Sequence, residues 1–293
     1  MAKTILVVLM FMLGMTYGRK MVDLTHTLDE NAPKYPLSYF GLTNFTYYNV
    51  KTIAEEYIGD MWLALRTMEF YEHQGTHIDA PNHFGNGRQA LNEIPTEKLI
   101  GPGVIIDIKD KARANPDYAV TVDDIKEHEA EHGLIPPNSI IIMNSGWGYK
   151  YPNHQLVFGT ENITDPRSFR FPGWSIEACE MLLNERQVSV LGVDTPSTDP
   201  GQADEYYCHM LLQPNDVPLL EYVANLDSVP QRGTTIVLGT MKVRRGTGGP
   251  TRIFALIDDQ DQTYFNSAET MAYQTLIVSC AVIIEYFVHK FLF

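Results

Sequence analysis

Residues His73-Gln74-Gly75-Thr76-His77-Ile78-Asp79-Ala80-Pro81-Asn82-His83-Phe84 bring three imidazoles and a carboxylate within eleven positions of one another. Neutral imidazole and carboxylate are ligands that Zn, Mn and Fe accept, so the cluster points to a catalytic metal site. It also restricts the fold. Gly75 and Pro81 oppose a continuous helix. In extended chain, His77 and Asp79 project to the same side with backbones roughly 6 to 7 Å apart, which suits two ligands on one ion. On a straight strand His73 would lie roughly 13 Å from His77, too far to share a metal with bonds of about 2.1 Å. The chain must bend at Gln74-Gly75-Thr76, where glycine tolerates the backbone angles of a tight turn or bulge.

The runs Gly103 to Ile108, Ser139 to Met143, Val188 to Val193, Thr234 to Val243 and Arg252 to Ile257 are rich in Val and Ile and have strand length. Thr121 followed by Asp124 opens a helix that closes near Gly133, and Ser175 after Pro172-Gly173 opens another that reaches about Arg186. The strands arrive without a regular helix between each pair, so the architecture is mixed α/β and not a doubly wound sheet. With 293 residues, 44% hydrophobic, and no repeat or low-complexity linker, the chain forms one large domain with a substantial core. A net charge of -14, from 36 acidic and 22 basic side chains, disfavours nucleic acid and anionic membrane surfaces as partners.

Both ends have the character of targeting segments. Lys3, the apolar run Ile5 to Met15 and the small residues up to Gly18 fit a signal peptide over 1–18, and the sequons at Asn44 and Asn162 agree with a secreted glycoprotein. The C-terminal extension 259–293 ends in a tail from Leu276 interrupted by Glu285, His289 and Lys290. A charge at mid-membrane costs about 2.5 to 3.5 kcal/mol, which disfavours a stable span. The small residues Asn266-Ser267-Ala268 ahead of the tail fit a GPI-anchor signal, the alternative being a core or interface helix. Either way, the expectation is an extracytoplasmic protein, secreted or anchored at the surface, with its domain over 19–258. Removal of the tail with Cys280 would leave Cys179 and Cys208, expected as two buried thiols rather than a disulfide.

A histidine in an apolar stretch, such as His209, is usually a satisfied core residue. The segment His73 to Phe84, however, resembles in full the H-x-G-T-H-x-D-x-P-x-H-F motif of the cyclase family, which includes kynurenine formamidases and isatin hydrolases. His209 and Glu221 reproduce a second family interval, a His and a Glu with eleven residues between them. Val22-Asp23-Leu24-Thr25-His26, Gly101-Pro102-Gly103, Ser145-Gly146-Trp147, Gly192-Val193-Asp194-Thr195 and a closing strand at Thr251 to Leu256 extend the resemblance over roughly 20–258. It implies a single-domain swivelling β/β/α fold, a homodimer or homotetramer, and one or two divalent ions, Zn or Mn. His73, His77 and Asp79 would bind the first metal. His209 would hold a second, with Asp79 and Glu221 bridging. His83 takes the position of the general acid/base, the alternative role being a further ligand.

The reaction implied is metal-dependent hydrolysis of an aryl formamide, with N-formyl-kynurenine as the leading substrate. A cyclic amide of the isatin type is the second candidate, and an extracellular metal-binding module without turnover the third. No G-x-S-x-G elbow offers a serine route to the same product. The chain departs from the formamidase pattern at Lys34-Tyr35-Pro36-Leu37-Ser38 and at Asn144-Ser145. Tyr35 and Trp147 are the aromatic candidates to stack on the substrate, the alternative being that they serve as core residues.

Overall fold

Alternation of side chains along a strand sends neighbouring residues to opposite faces of a sheet, so an unbroken apolar run can serve two cores at once. Ile140 to Met143 behaves in this way: Ile140 and Ile142 enter one apolar cluster, Ile141 and Met143 the other. Val104 and Ile106 are separated from Ile105, and Leu219 from Leu220, by the same rule.

The protein was analysed as a computed structural model that describes residues 19–258. The segment expected to be a signal peptide, the C-terminal extension 259–293 and Cys280 lie outside the described residues. Among the described residues twelve strands are formed: β1 (Arg19–Asp23), β2 (Tyr48–Ile58), β3 (Met61–Phe70), β4 (His77–Asp79), β5 (Ile100–Asp107), β6 (Ala119–Val120), β7 (Ile140–Asn144), β8 (Gly173–Trp174), β9 (Val190–Val193), β10 (Leu219–Glu221), β11 (Thr234–Thr240) and β12 (Gly248–Asp258). Five α-helices accompany them in the same residues: α1 (Lys109–Ala114), α2 (Val122–His132), α3 (His154–Phe158), α4 (Ile176–Asn184) and α5 (Tyr207–Leu212).

The main sheet runs β1-β12-β11-β5-β7-β9-β10-β4, and β4 also pairs with β12, so seven strands close into a barrel-like ring. β5, β7, β9 and β10 are parallel, whereas β11, β12 and β4 join antiparallel. Ile78, Ile105, Ile140, Ile142, Leu220, Ile236 and Ile253 form the inner core. On the other face, Ile125 of α2 and Ala178 and Leu182 of α4 pack over Val104, Ile141 and Leu191.

Both helices expected from sequence begin at their caps. Thr121 Oγ1 accepts from the Asp124 N–H while the Asp124 carboxylate accepts from the Thr121 N–H at 2.6 Å. Ser175 Oγ accepts from the Ala178 N–H.

Two findings depart from the sequence expectation. Cys179 of α4 and Cys208 of α5 are joined in a disulfide with Cα atoms 6.0 Å apart, not held as separate thiols, because both face the same seam of the outer core. The second is the hairpin β2–β3, which pairs only with itself. Its turn is Gly59-Asp60, with Gly59 at φ +64°. That dipeptide between strand-length runs was the available signal.

Truncation of Ile142, fully buried in the inner core, leaves a cavity that the ring of strands cannot collapse around. Ile142→Ala is expected to lower unfolding stability by about 2 to 5 kcal/mol in denaturant titration. A loss below about 1 kcal/mol would show the ring to be loosely packed there.

Candidate metal centre and cavity

His77 and Asp79 project from one face of β4, with Ile78 between them buried in the inner core. Antiparallel pairing sets Glu221 of β10 opposite His77, so a third ligand-type side chain arrives on the same face. His73 reaches the group because the chain turns at Gly75, which adopts φ +62°. An alanine here would be strained. On the far edge of β4, Gly248 of β12 lies opposite Asp79. A Cβ on Gly248 would meet His73 Cε1 at 2.6 Å and the Ile78 carbonyl oxygen at 2.8 Å, so only glycine lets His73 lie against this strand.

The side chains converge on Asp79. His73 Nδ1 is 2.5 Å and His77 Nε2 3.2 Å from its Oδ1, while His209 Nε2 is 3.3 Å from its Oδ2. Glu221 spans the same two halves, with Oε2 3.5 Å from His77 Nε2 and Oε1 3.4 Å from His209 Nε2. All the residues expected from sequence to hold metal are therefore brought together, and the two carboxylates lie between two groups of imidazoles.

The outer nitrogen of each of these three histidines has a partner that fixes its proton, as inferred from the hydrogen-bond network. His77 Nδ1 donates to the Gly75 carbonyl at 2.9 Å. Thr247 Oγ1 donates to Glu72 at 2.5 Å, so it accepts from His73 Nε2 at 2.9 Å. His209 Nδ1 donates to Asp199 at 2.6 Å. Each remaining lone pair points at Asp79 and Glu221, and His77 Nε2 is buried with no hydrogen-bond partner. Lone pairs converging on two buried carboxylates are stable only around a cation, so these residues fit a divalent metal. His77, Asp79 and Glu221 form one group able to ligate it, and His73, Asp79 and His83 another.

The same crowding polarises the acids in opposite directions. Burial, followed by the charge on Asp79, pushes the Glu221 carboxyl above its ordinary range. For Asp79, burial opposes ionisation, but in the metal-free protein positive charge on the imidazoles around it, His73 foremost, outweighs burial and holds the carboxyl well below its ordinary range.

His83 ends the short 3-10 turn Pro81–His83 and stacks on His73 with ring centroids 4.0 Å apart. Among the described residues no group hydrogen-bonds its ring nitrogens, in contrast to the three locked imidazoles. Burial pushes its pKa down to about 3, so the ring is neutral, with a free lone pair.

The cavity above these groups holds about 250 Å³ and has Tyr35, Leu37, Phe40, Tyr71, Phe84 and Tyr206 among its walls. Tyr35 is on the cavity, as expected, with its hydroxyl 2.8 Å from that of Tyr206. Trp147 is not. Its indole N–H donates to the Val157 carbonyl at 2.8 Å, and the ring is buried with Phe158 and Tyr222 in the aromatic cluster behind the cavity wall. Its backbone N–H, with that of Ser145, donates to the buried Asp194, so the Ser145 and Asp194 segments brace one another rather than the substrate.

Asp199, Glu72, Thr247, Gly248 and Tyr206 were not evident from sequence. Glu72 adjoins His73, and Thr247 lies in a Gly246-Thr247-Gly248-Gly249 run, but neither position carries its pairing on its face.

A family model described as "Putative cyclase" matches residues 22–200. The chain is 32% identical over 246 residues to an isatin hydrolase of Roseibium aggregatum, covering 81% of this chain and 92% of that protein. It is 26% identical over 231 residues to a kynurenine formamidase of Bacillus cereus, covering 79% and 94%. Among solved structures, an isatin hydrolase bound to the product analogue thioisatinate superposes with a TM-score of 0.76 at 29% identity, over 88% of this chain and 100% of that one.

Gly248→Ala is expected to push His73 off β12 and to weaken metal binding by roughly tenfold or more in a competition titration against a chelator. Unchanged affinity would mean that His73 does not need this seat.

Proposed function

The chain belongs to the cyclase family and is a metal-dependent hydrolase, and from that premise we propose that it hydrolyses the amide bond of a small, uncharged aromatic amide. The observation that carries this reading is the contrast among four imidazoles: three locked as ligands, and a fourth, His83, neutral, unpaired and on the cavity wall.

Hydrolysis adds a hydroxyl to the carbonyl carbon and a proton to the nitrogen as the C–N bond breaks. A divalent ion held by His73, His77, Asp79, His209 and Glu221 would polarise the carbonyl and make water a stronger acid. His83 is sited to take the proton from water and return it to the departing nitrogen. The aromatic walls orient a flat ring and exclude bulk water.

The lining bears on the substrate. The cavity is smaller than the roughly 300 Å³ at which sites for drug-sized ligands begin. Among the described residues that line it, none is Lys or Arg. N-formyl-kynurenine carries a zwitterionic α-amino acid group, which is costly to desolvate against a wall of aromatic side chains. A neutral cyclic amide of the isatin type has no such cost and is ranked first here, ahead of the formamide that the sequence placed first.

Purified protein loaded with Zn or Mn is expected to open isatin, with much weaker turnover of N-formyl-kynurenine. His83→Ala should lower kcat by about 10²- to 10⁴-fold while metal stays bound. Loss of metal in that variant would make His83 a ligand instead, and normal turnover would remove it from the chemistry.

We also propose an extracytoplasmic setting and a homodimer. The disulfide supports the first, since such bonds persist in oxidising compartments. So does Asn162, which is exposed in a loop. For the second, Ile53, Tyr57, Ile58, Met61, Trp62, Leu65 and Met68 are each 46% to 69% exposed on β2–β3. A two-stranded hairpin is marginal in water by itself. Its exposed apolar side chains would contribute to the roughly 800 Å² that each partner buries in a stable interface. A second copy covers such a surface isologously. Sedimentation should give a dimer, and Tyr57→Ser with Trp62→Ser a monomer. A variant that stays dimeric would exclude the hairpin as the interface, and a monomeric wild type would end the dimer proposal.

A further inference from the structure

His209 stands on α5, a helix of only six residues that follows the exposed stretch Gln202–Glu205. Nothing in so short a helix fixes an imidazole, yet the ring is 3% exposed and aimed between two carboxylates. The main restraint comes from Asp199, 2% exposed, in the buried turn after β9, with the neighbouring Thr198 Oγ1 a longer contact at 3.2 Å from the same His209 Nδ1. Its Oδ1 accepts from the Cys208 N–H at 2.7 Å, and its Oδ2 from His209 Nδ1 at 2.6 Å and the His209 N–H at 3.3 Å.

Asp199 is itself rigidly seated. The preceding carbonyl, of Thr198, accepts from the Trp174 N–H at 2.8 Å, and the Thr198 N–H donates to Glu221 at 3.3 Å. A Cβ on Gly173 would stand 2.4 Å from Pro200 N and 2.6 Å from the Asp199 carbonyl carbon, so the turn lies directly on β8. The disulfide fixes the residue before His209 to α4.

We propose that Asp199 is a positioning residue: its carboxylate holds the proton of His209 on Nδ1 and thereby presents the Nε2 lone pair to the metal. A carboxylate only accepts, so it enforces N–H at Nδ1. An amide in its place can donate, which permits the opposite tautomer and puts a hydrogen on Nε2 where a ligand lone pair is required. The inference rests on the metal-centre reading above.

The test is Asp199→Asn, which keeps an oxygen to accept from the Cys208 N–H and so retains the backbone restraint, with Asp199→Ala as the variant that loses both. Nitrogen-15 NMR of the metal-free protein reads the Nδ1–H of His209 and its hydrogen bond to residue 199, chelator competition reads Mn and Zn affinity, and thermal melting of the metal-free protein reads the structural share. With the metal-free ring also protonated on Nε2, beside Asp79 and Glu221, the expected result is a hydrogen-bonded Nδ1–H in the wild type, loss of that hydrogen bond in Asp199→Asn, and affinity lowered by about 10- to 100-fold with an almost unchanged melting temperature. A wild-type Nδ1–H hydrogen bond and affinity in Asp199→Asn would overturn the proposal, as would equal loss of melting temperature in both variants with affinity retained. A wild type that binds neither metal would defeat the metal reading alone, and the Nδ1–H comparison would still decide what Asp199 does.

Discussion

Strand β4 is three residues long and hydrogen-bonds along both edges, to β10 on one side and β12 on the other. This double pairing closes the ring of strands and places His77 and Asp79 on the face opposite Ile78. A slip of one residue would exchange the ligands with the isoleucine and bury both polar groups in the inner core. Neighbouring strands extend the same logic, because Glu221 and Gly248 occupy positions dictated by their register with β4. The centre is thus built on sheet backbone, where side-chain directions are most tightly fixed, with only His73, His83 and His209 arriving from less regular chain.

Those three arrivals are stabilised by different means. His73 is wedged against a glycine and hydrogen-bonded to Thr247, whose hydroxyl is committed to Glu72. His209 depends on Asp199. His83 has only ring stacking and the 3-10 turn beneath it. Rigid ligands surround a less constrained imidazole, a division that suits a group whose hydrogen-bond partners must change during turnover.

The central elements were legible because their signals are local. Strand composition located β5, β7, β9, β11 and β12, and the glycine-centred bend and the extended His77-Ile78-Asp79 follow from ligand spacing alone. Resemblance drew His209 and Glu221 toward the cluster, where His209 lies 130 residues from Asp79. The partners of the histidines were opaque for a physical reason: Asp199, Thr247 and Gly248 act through register and close approach, neither of which a composition window contains. Trp147 was open between two roles because a buried indole and a cavity-lining one look alike in sequence, and the Cys179–Cys208 bond depends on how two helices face one another. The hairpin was missed because its apolar residues obey no core-facing pattern within this chain.

The closing strand has a consequence for how the molecule comes into being. His73 meets Thr247 across a separation of 174 residues, and β4 gains its second edge only from β12. As synthesis proceeds from the N-terminus, the complete ligand motif leaves the ribosome long before anything exists to seat it. The nascent chain can present metal-binding side chains but no preformed centre. The geometry of the candidate centre is therefore a property of the finished barrel, acquired in one late step rather than accumulated as the motif emerges.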